Sequence, residues 1–175
     1  MADSNLFTIN LVTPERILLS GPATEVILRT GEGDATFLAG YAPLVGSIEP
    51  GVLRVMRAEG DEERVAVHGG FVQVEQGVDE SVDNGAPSPG PTVGGTRVTL
   101  LVGVAELARE IDADRARAAL DAAEARLADL NASGGRSTTP TEGDEPDPDV
   151  MEAEAALLRA QVRLEAIDAT SGATP

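Results

Sequence analysis

The sequence predicts a β + α fold: an N-terminal antiparallel β-sandwich followed by a C-terminal antiparallel two-helix hairpin. Three observations carry this. Apolar residues recur at a period of 2 as far as Val102 and at about 3.6 beyond Asp112. The first part is cut into short stretches by turns at a spacing of about 8–12 residues, with no helical interlude. The second part holds two helix-period segments, each opened by an aspartate suited to cap it. The expected division is a sandwich domain over 1–104 and a hairpin domain over 105–175.

The strand candidates, in order, are Leu6–Val12, Ile17–Ser20, Glu25–Thr30, Asp34–Leu38, Val52–Arg57, Arg64–His68, Gly70–Glu75 and Arg97–Val102. Val26 and Leu28 face one way, with Glu25, Ile27 and Arg29 facing the other. Val65 and Val67 alternate with Arg64, Ala66 and His68; Val72 and Val74 alternate with Phe71, Gln73 and Glu75. Turns are expected at Gly21-Pro22, Gly31-Glu32-Gly33, Pro50-Gly51, Glu59-Gly60-Asp61 and Gly69-Gly70. Gly69 and Gly70 read as positions of positive φ or close backbone approach. Residues 79–96 are too rich in Gly, Pro and acids to pack, and read as a long loop inserted between two strands. Lengthening a surface loop costs only roughly 0.6 kcal/mol per doubling, so the insert leaves the sheet intact.

Residues 112–131 read as a helix with Asp112 as N-cap. Its apolar stripe is Ala116, Leu120, Ala123, Leu127 and Leu130, and Asn131 and Gly134-Gly135 end it. An acidic, disordered linker follows over 132–148. Asp147-Pro148 then supplies a cap and a proline at the first helical position. The second helix runs to about Asp168 and offers two stripes: Met151, Ala155, Leu158, Val162, and Ala153, Leu157, Ala160, Leu164, Ile167. So small an apolar complement does not offset the ordering of two whole helices. The hairpin is therefore expected to need the sandwich or a partner.

Composition narrows the function classes. The net charge is −17, with acid excess in both halves, and all 13 bases are arginine. Phosphate backbones and anionic lipid surfaces are repelled by such a chain, so no nucleic-acid partner is expected. The aromatics are Phe7, Phe37, Tyr41 and Phe71, too few for base stacking, and the core must be aliphatic. There is no cysteine and one histidine, His68, so thiolate metal sites, Cys nucleophiles and His-based triads lack their parts. His68 reads as a packing or hydrogen-bonding residue. The acid run from Glu142 to Asp149 lacks the spacing of a calcium loop. No phosphate-binding glycine motif is present. No stretch reads as a signal peptide or reaches the ~20 apolar residues of a membrane span, so direct membrane insertion is not expected.

An ordered series of segments resembles one family. Leu11-Val12-Thr13-Pro14-Glu15-Arg16, then residues 33–45 (Gly33-Asp34-Ala35-Thr36-Phe37 through Tyr41-Ala42-Pro43-Leu44-Val45), Pro50-Gly51-Val52-Leu53, Val67-His68-Gly69-Gly70-Phe71-Val72-Gln73-Val74, Ala105-Glu106 and Ile111-Asp112-Ala113-Asp114-Arg115-Ala116 are similar, in order and spacing, to the epsilon subunit of F-type rotary ATP synthases. The likeness spans residues 5–131 well and the second helix more loosely. Tyr41 stands where the family usually has His, and the inserts at 79–96 and 132–148 are longer than the family's.

The resemblance implies a non-catalytic subunit of the central rotor, coupling proton-driven rotation to ATP synthesis. Its sandwich would bind the gamma subunit and rest on the ring of c subunits, at the cytoplasmic face of the cell membrane. Its hairpin would fold against the sandwich or extend toward the alpha and beta subunits and oppose ATP hydrolysis. By the same likeness, Tyr41, Pro43, Leu44 and Val45 fall at the c-ring and gamma contact. Residues alone leave Leu44 and Val45 open: exposed they form a contact patch, buried they are core. No cofactor is required. In some members ATP binds at positions matching Glu106, Asp112, Arg115, Arg159 and Arg163, as a regulatory ligand. Guanidiniums grip phosphates in a bidentate manner, and a carboxylate accepts from an adenine amino group. The competing reading is that Asp112 only caps its helix and the arginines are solvated or paired with Glu165 and Asp168. A rival function is a free-standing ATP-sensing module.

Overall fold

The computed structural model describes residues 5–77, 94–133 and 147–171. The chain divides into two compact units, Met1–Arg109 and Glu110–Pro175.

The first unit is a β-sandwich. Its strands are β1 (Phe7–Val12), β2 (Ile17–Thr30), β3 (Gly33–Phe37), β4 (Leu44–Ile48), β5 (Gly51–Arg57), β6 (Glu62–Val67), β7 (Gly70–Gln76), β8 (Thr96–Val102) and β9 (Ala105–Leu107). They pair in the order β4-β7-β8-β1-β2-β5-β6-β9, with β3 also on β2. All pairs are antiparallel except β1 with β8.

The two layers share one strand. Residues Ile17–Ala23 of β2 pair with β1, while Val26–Thr30 pair with β3 and Ala23–Ile27 with β5. A register shift between Ala23 and Glu25 marks the fold-over. Layer one is β4-β7-β8-β1 and the start of β2; layer two is β3, the end of β2, β5, β6 and β9.

Gly21-Pro22 was expected to be a turn between two strands, and instead lies inside this one strand. Gly21 has φ 131°, and Pro22 pairs with Thr8 where the strand is about to bend, so its missing N–H is tolerated. Two further differences lengthen the sheet. The segment Leu44–Ile48 is a strand rather than part of a loop, with Leu44 and Ile48 turned inward and Val45 and Ser47 outward. Ala105–Leu107 pairs with β6, so the sheet continues past residue 104 and its unit ends at Arg109.

Phe7, Ile9, Leu11, Val26, Leu28, Phe37, Leu53, Val55, Val65, Val67, Val72, Val74, Val98 and Leu100 fill the space between the layers. Val26, Leu28, Val65, Val67, Val72 and Val74 are on the face their alternation assigned, and the core is aliphatic apart from two phenylalanines. Gly70 (φ 156°) joins β6 to β7 where a Cβ would collide with the Leu101 carbonyl oxygen and Val102 Cα. Only glycine fits there. Most of the inserted loop, residues 78–93, lies outside the described residues, as does most of the acidic linker, 134–146.

The second unit is a pair of helices, α1 (Ala113–Ser133) and α2 (Pro148–Ser171), that pack on each other. Asp112 caps α1, its Oδ1 accepting from the Asp114 and Arg115 amides at 3.0 Å each. Asp147 does the same for α2 through the Asp149 amide. Arg126, late in α1, reaches Asp149 (3.5 Å) and Glu152 (3.8 Å) at the start of α2, so the helices run antiparallel. Ala116, Ala123, Ala153, Ala160, Val162 and Ala166 are buried. Of the two stripes expected on α2, the Ala153–Leu157–Ala160–Leu164–Ile167 stripe is wholly or partly covered, whereas Met151 and Leu158 of the other are exposed.

Candidate functional site

Cross-strand register assembles an apolar row on the outward face of layer one. Ser47 of β4 faces Phe71 of β7, Phe71 faces Leu101 of β8, Leu101 is beside Val12 of β1, and Val12 is beside Ile17 of β2. Phe71 is 61% exposed, and Leu101 and Ile17 48% each. Val45, diagonal to Phe71 on the same face, is 73% exposed. An aromatic ring, a leucine, an isoleucine and two valines on one side of a sheet form a patch that costs free energy in water and stabilises a complex when covered. Two strands supply it by carrying large apolar residues at both parities: Phe71 beside Val72, and Leu101 beside Leu100. That doubling is the sequence signal of a strand buried on both faces.

The four residues assigned by resemblance to ring and shaft contact lie at one end of this layer. Tyr41 is half-buried, its ring edge-on to Phe37 at 4.9 Å and 61°. The Gln76 side-chain amide donates to the carbonyls of Gly40 (2.6 Å) and Tyr41 (2.7 Å) and holds this segment to β7. Pro43 is exposed. Leu44 packs against the core and Val45 points out, so the pair divides between the two alternatives. Tyr41, Leu44 and Val45 also line a cavity of about 340 Å3 between β3 and β4, with Thr30, Phe37 and Val72.

The outward face of layer two is charged. Arg54 of β5 lies directly opposite Arg64 of β6, a like-charge pair that would repel. Glu62 resolves it: its Oε1 accepts from Arg54 Nε at 2.8 Å and Arg64 Nε at 2.6 Å, and its Oε2 from Arg54 NH2 at 3.3 Å. Those hydrogen bonds, Arg54's first, hold the Glu62 carboxyl down at about 2 and raise the Arg54 guanidinium. Arg29 pairs with Asp34 on the neighbouring strands at 3.1 Å.

The five residues matched to an ATP site divide between the units. Glu106 is on β9, half-buried, its Oε1 3.9 Å from His68 Nε2. The other four are helical or cap a helix. Asp112 is engaged with its own helix N-terminus. Arg115 is exposed; Arg159 and Arg163 are half-buried, one turn apart on α2. The Arg126 pairs set the helix register. Equal rise along two antiparallel helices then brings Arg115 to the level of Ala160–Arg163. Arg115 and Arg163 therefore share a level on the hairpin. Among the described residues, no helix is long and apolar enough to cross a membrane.

Residues 6–78 match the family model described as the ATP synthase delta/epsilon chain, beta-sandwich domain, and residues 109–168 match that of the delta/epsilon chain, long alpha-helix domain. The ATP synthase epsilon chain of Symbiobacterium thermophilum is 37% identical over 170 residues, 97% of this chain and 96% of that one. That of Moorella thermoacetica is 35% identical over 97% of this chain and 99% of its own length, and that of Thermobifida fusca is 41% identical over 71% and 79%. Among solved structures, a chain of the Euglena gracilis mitochondrial ATP synthase (OSCP/F1/c-ring, rotational state 1) superposes with a TM-score of 0.55 at 22% identity, over 94% of this chain and 79% of that one; it shares the fold. Both halves match in the same order, and the likeness runs nearly end to end in the Symbiobacterium and Moorella proteins: the chain belongs to the epsilon chains of ATP synthase.

Proposed function

We propose that this chain is a non-catalytic subunit of the central rotor of an F-type ATP synthase, held peripherally at the cytoplasmic face of the cell membrane by its partners. The observation that carries the reading is the apolar row Phe71–Leu101–Val12–Ile17 with Val45, on a face that a soluble monomer would not leave in water. The gamma subunit covers this face, and the end of the layer at Tyr41–Val45 rests on the c-ring. The subunit couples rotation to ATP synthesis without making or breaking bonds. Its helical unit, when extended toward the alpha and beta subunits, restrains ATP hydrolysis. The test is a truncation that respects the sheet. Removing residues 111–175 keeps β9 on β6, and the shortened chain is expected to bind gamma as the full chain does, while the assembled complex hydrolyses ATP several-fold faster. Unchanged hydrolysis in that complex overturns the restraint.

A second reading concerns ATP as a regulatory ligand of the helical unit. It is favoured by the level shared by Arg115 and Arg163, whose guanidiniums suit a polyphosphate. Bound ATP would tie α1 to α2 and favour the packed hairpin by differential affinity. Titration calorimetry is expected to show saturable ATP binding to the full chain and at least tenfold weaker binding to Arg115→Ala. Absence of ATP heat with the unaltered chain ends this reading and leaves the rotor assignment standing.

A further inference from the structure

The only histidine, His68, follows directly on β6 with its side chain 6% exposed. Its Nε2 lies 3.9 Å from Oε1 of Glu106, whose side chain is 33% exposed. The register explains the meeting: Glu106 of β9 is opposite Ala66 of β6, and His68, two residues on, shares that face. β9 has only three residues and one neighbouring strand. It is held by three register pairs to β6, by the His68 amide donating to the Val104 carbonyl at 3.2 Å, by Leu107 in the core, and by the Arg109–Glu63 ion pair just beyond. The His68–Glu106 pair is the fastening whose charge changes near neutral pH.

We propose that His68 and Glu106 form a pH-sensitive latch fixing β9 to β6, tight when the imidazole is protonated and slack when it is neutral. The added hold belongs to the protonated imidazole, so it is present at low pH and lost as pH rises through the His68 titration.

The other charged groups on the surrounding strands are engaged elsewhere. Glu62, Arg64 and Arg54 form their own triad at the far end of β5 and β6. Glu63 takes Arg109. Glu106 is thus the carboxylate that the latch uses.

The consequence rests on the reading that the helical unit moves. With β9 latched, the chain leaves the sheet only after Leu107. Peeling β9 away adds three residues, about 10 Å of extended chain at ~3.3 Å per residue. A more alkaline medium therefore loosens β9, and the tether lengthens once the Arg109–Glu63 pair also opens.

The isolated full-length chain suffices for the test, so the result is independent of whether gamma binds. NMR follows the single histidine from pH 5 to 8.5, and amide exchange follows Ala105–Leu107. His68 is expected to titrate about 0.5 pH unit or more higher in the unaltered chain than in Glu106→Gln, with Glu62→Gln matching the unaltered chain. Protection of the β9 amides, corrected for intrinsic exchange, is expected to be about two- to fivefold greater at pH 6 than at pH 8. Glu106→Gln and His68→Gln should each abolish that difference. Identical His68 midpoints with and without the Glu106 charge overturn the latch. So does β9 protection that keeps its pH dependence in His68→Gln.

Discussion

The two outward faces of the sandwich differ although they are built from one continuous sheet. On layer one, register neighbours are Phe71, Leu101, Val12 and Ile17, with Val45 beside them. On layer two, register neighbours are Thr36, Ile27, Arg54 and Arg64, with Glu62, Arg29 and Asp34 around them. The second face carries its own counter-charges. The first face has no polar work to do and is satisfied only by being covered. The lesson is that the two faces differ in what their residues offer one another: one is laced with ion pairs, the other presents apolar groups with no such links.

The comparison can be broken most severely at its foundation. Gly70→Ala forces a Cβ into the Leu101 carbonyl and the Val102 backbone, prising β7 from β8 under the apolar row. It is expected to cost about 3 kcal/mol in denaturant unfolding and to lose partner binding with it. A sharper cut leaves the fold alone. Phe71→Glu places a charge on an exposed position, so unfolding should shift by less than about 0.5 kcal/mol, while affinity for gamma should fall roughly 50- to 100-fold. An equal affinity for gamma would refute the assignment of this face. The smallest effect is expected on the charged side. Glu62 is held down at about 2, against an ordinary value of 4.5, by its hydrogen bonds to Arg54 and Arg64. A depressed carboxylate stabilises the fold above its unfolded value, and this is lost as pH falls from about 4.5 toward 2. Water reaches and screens the triad, so the contribution is about 1 kcal/mol rather than the roughly 3 the full shift would imply. Glu62→Gln should therefore be about 1 kcal/mol less stable at pH 7, converge with the unaltered chain near pH 2, and bind gamma unchanged.

Much of this was legible in the residues. The alternation at Val26/Leu28, Val65/Val67 and Val72/Val74 marks strands, and all six are buried, although on β6 Ala66 and the His68 side chain, expected on the other side, are buried too. The stripe Ala116–Leu120–Ala123–Leu127–Leu130 marks α1 at a different period, and both aspartate caps are formed. The failures have physical causes. β4 was hidden because Pro43 precedes it and Gly46 interrupts it, so local chemistry reads as loop while the pairing with β7 makes it strand. β2 was split because Gly21-Pro22 is punctuation in most contexts; here the bend it favours is the fold-over between layers. β9 is three residues long, too short to show a period. On α2 two neighbouring stripes were equally apolar, and only packing against α1 decides between them. The apolar face was readable in Phe71-Val72 and Leu100-Leu101, but alternation alone treats the second residue of each pair as the wet one.

β2 is a single fourteen-residue strand that belongs to both layers. Most sandwiches resist sliding through the friction of interlocked side chains. Here the backbone between Ala23 and Glu25 ties the layers as well. A load applied to the oily side has a route to the salted side along that one chain, in addition to the packed core between them.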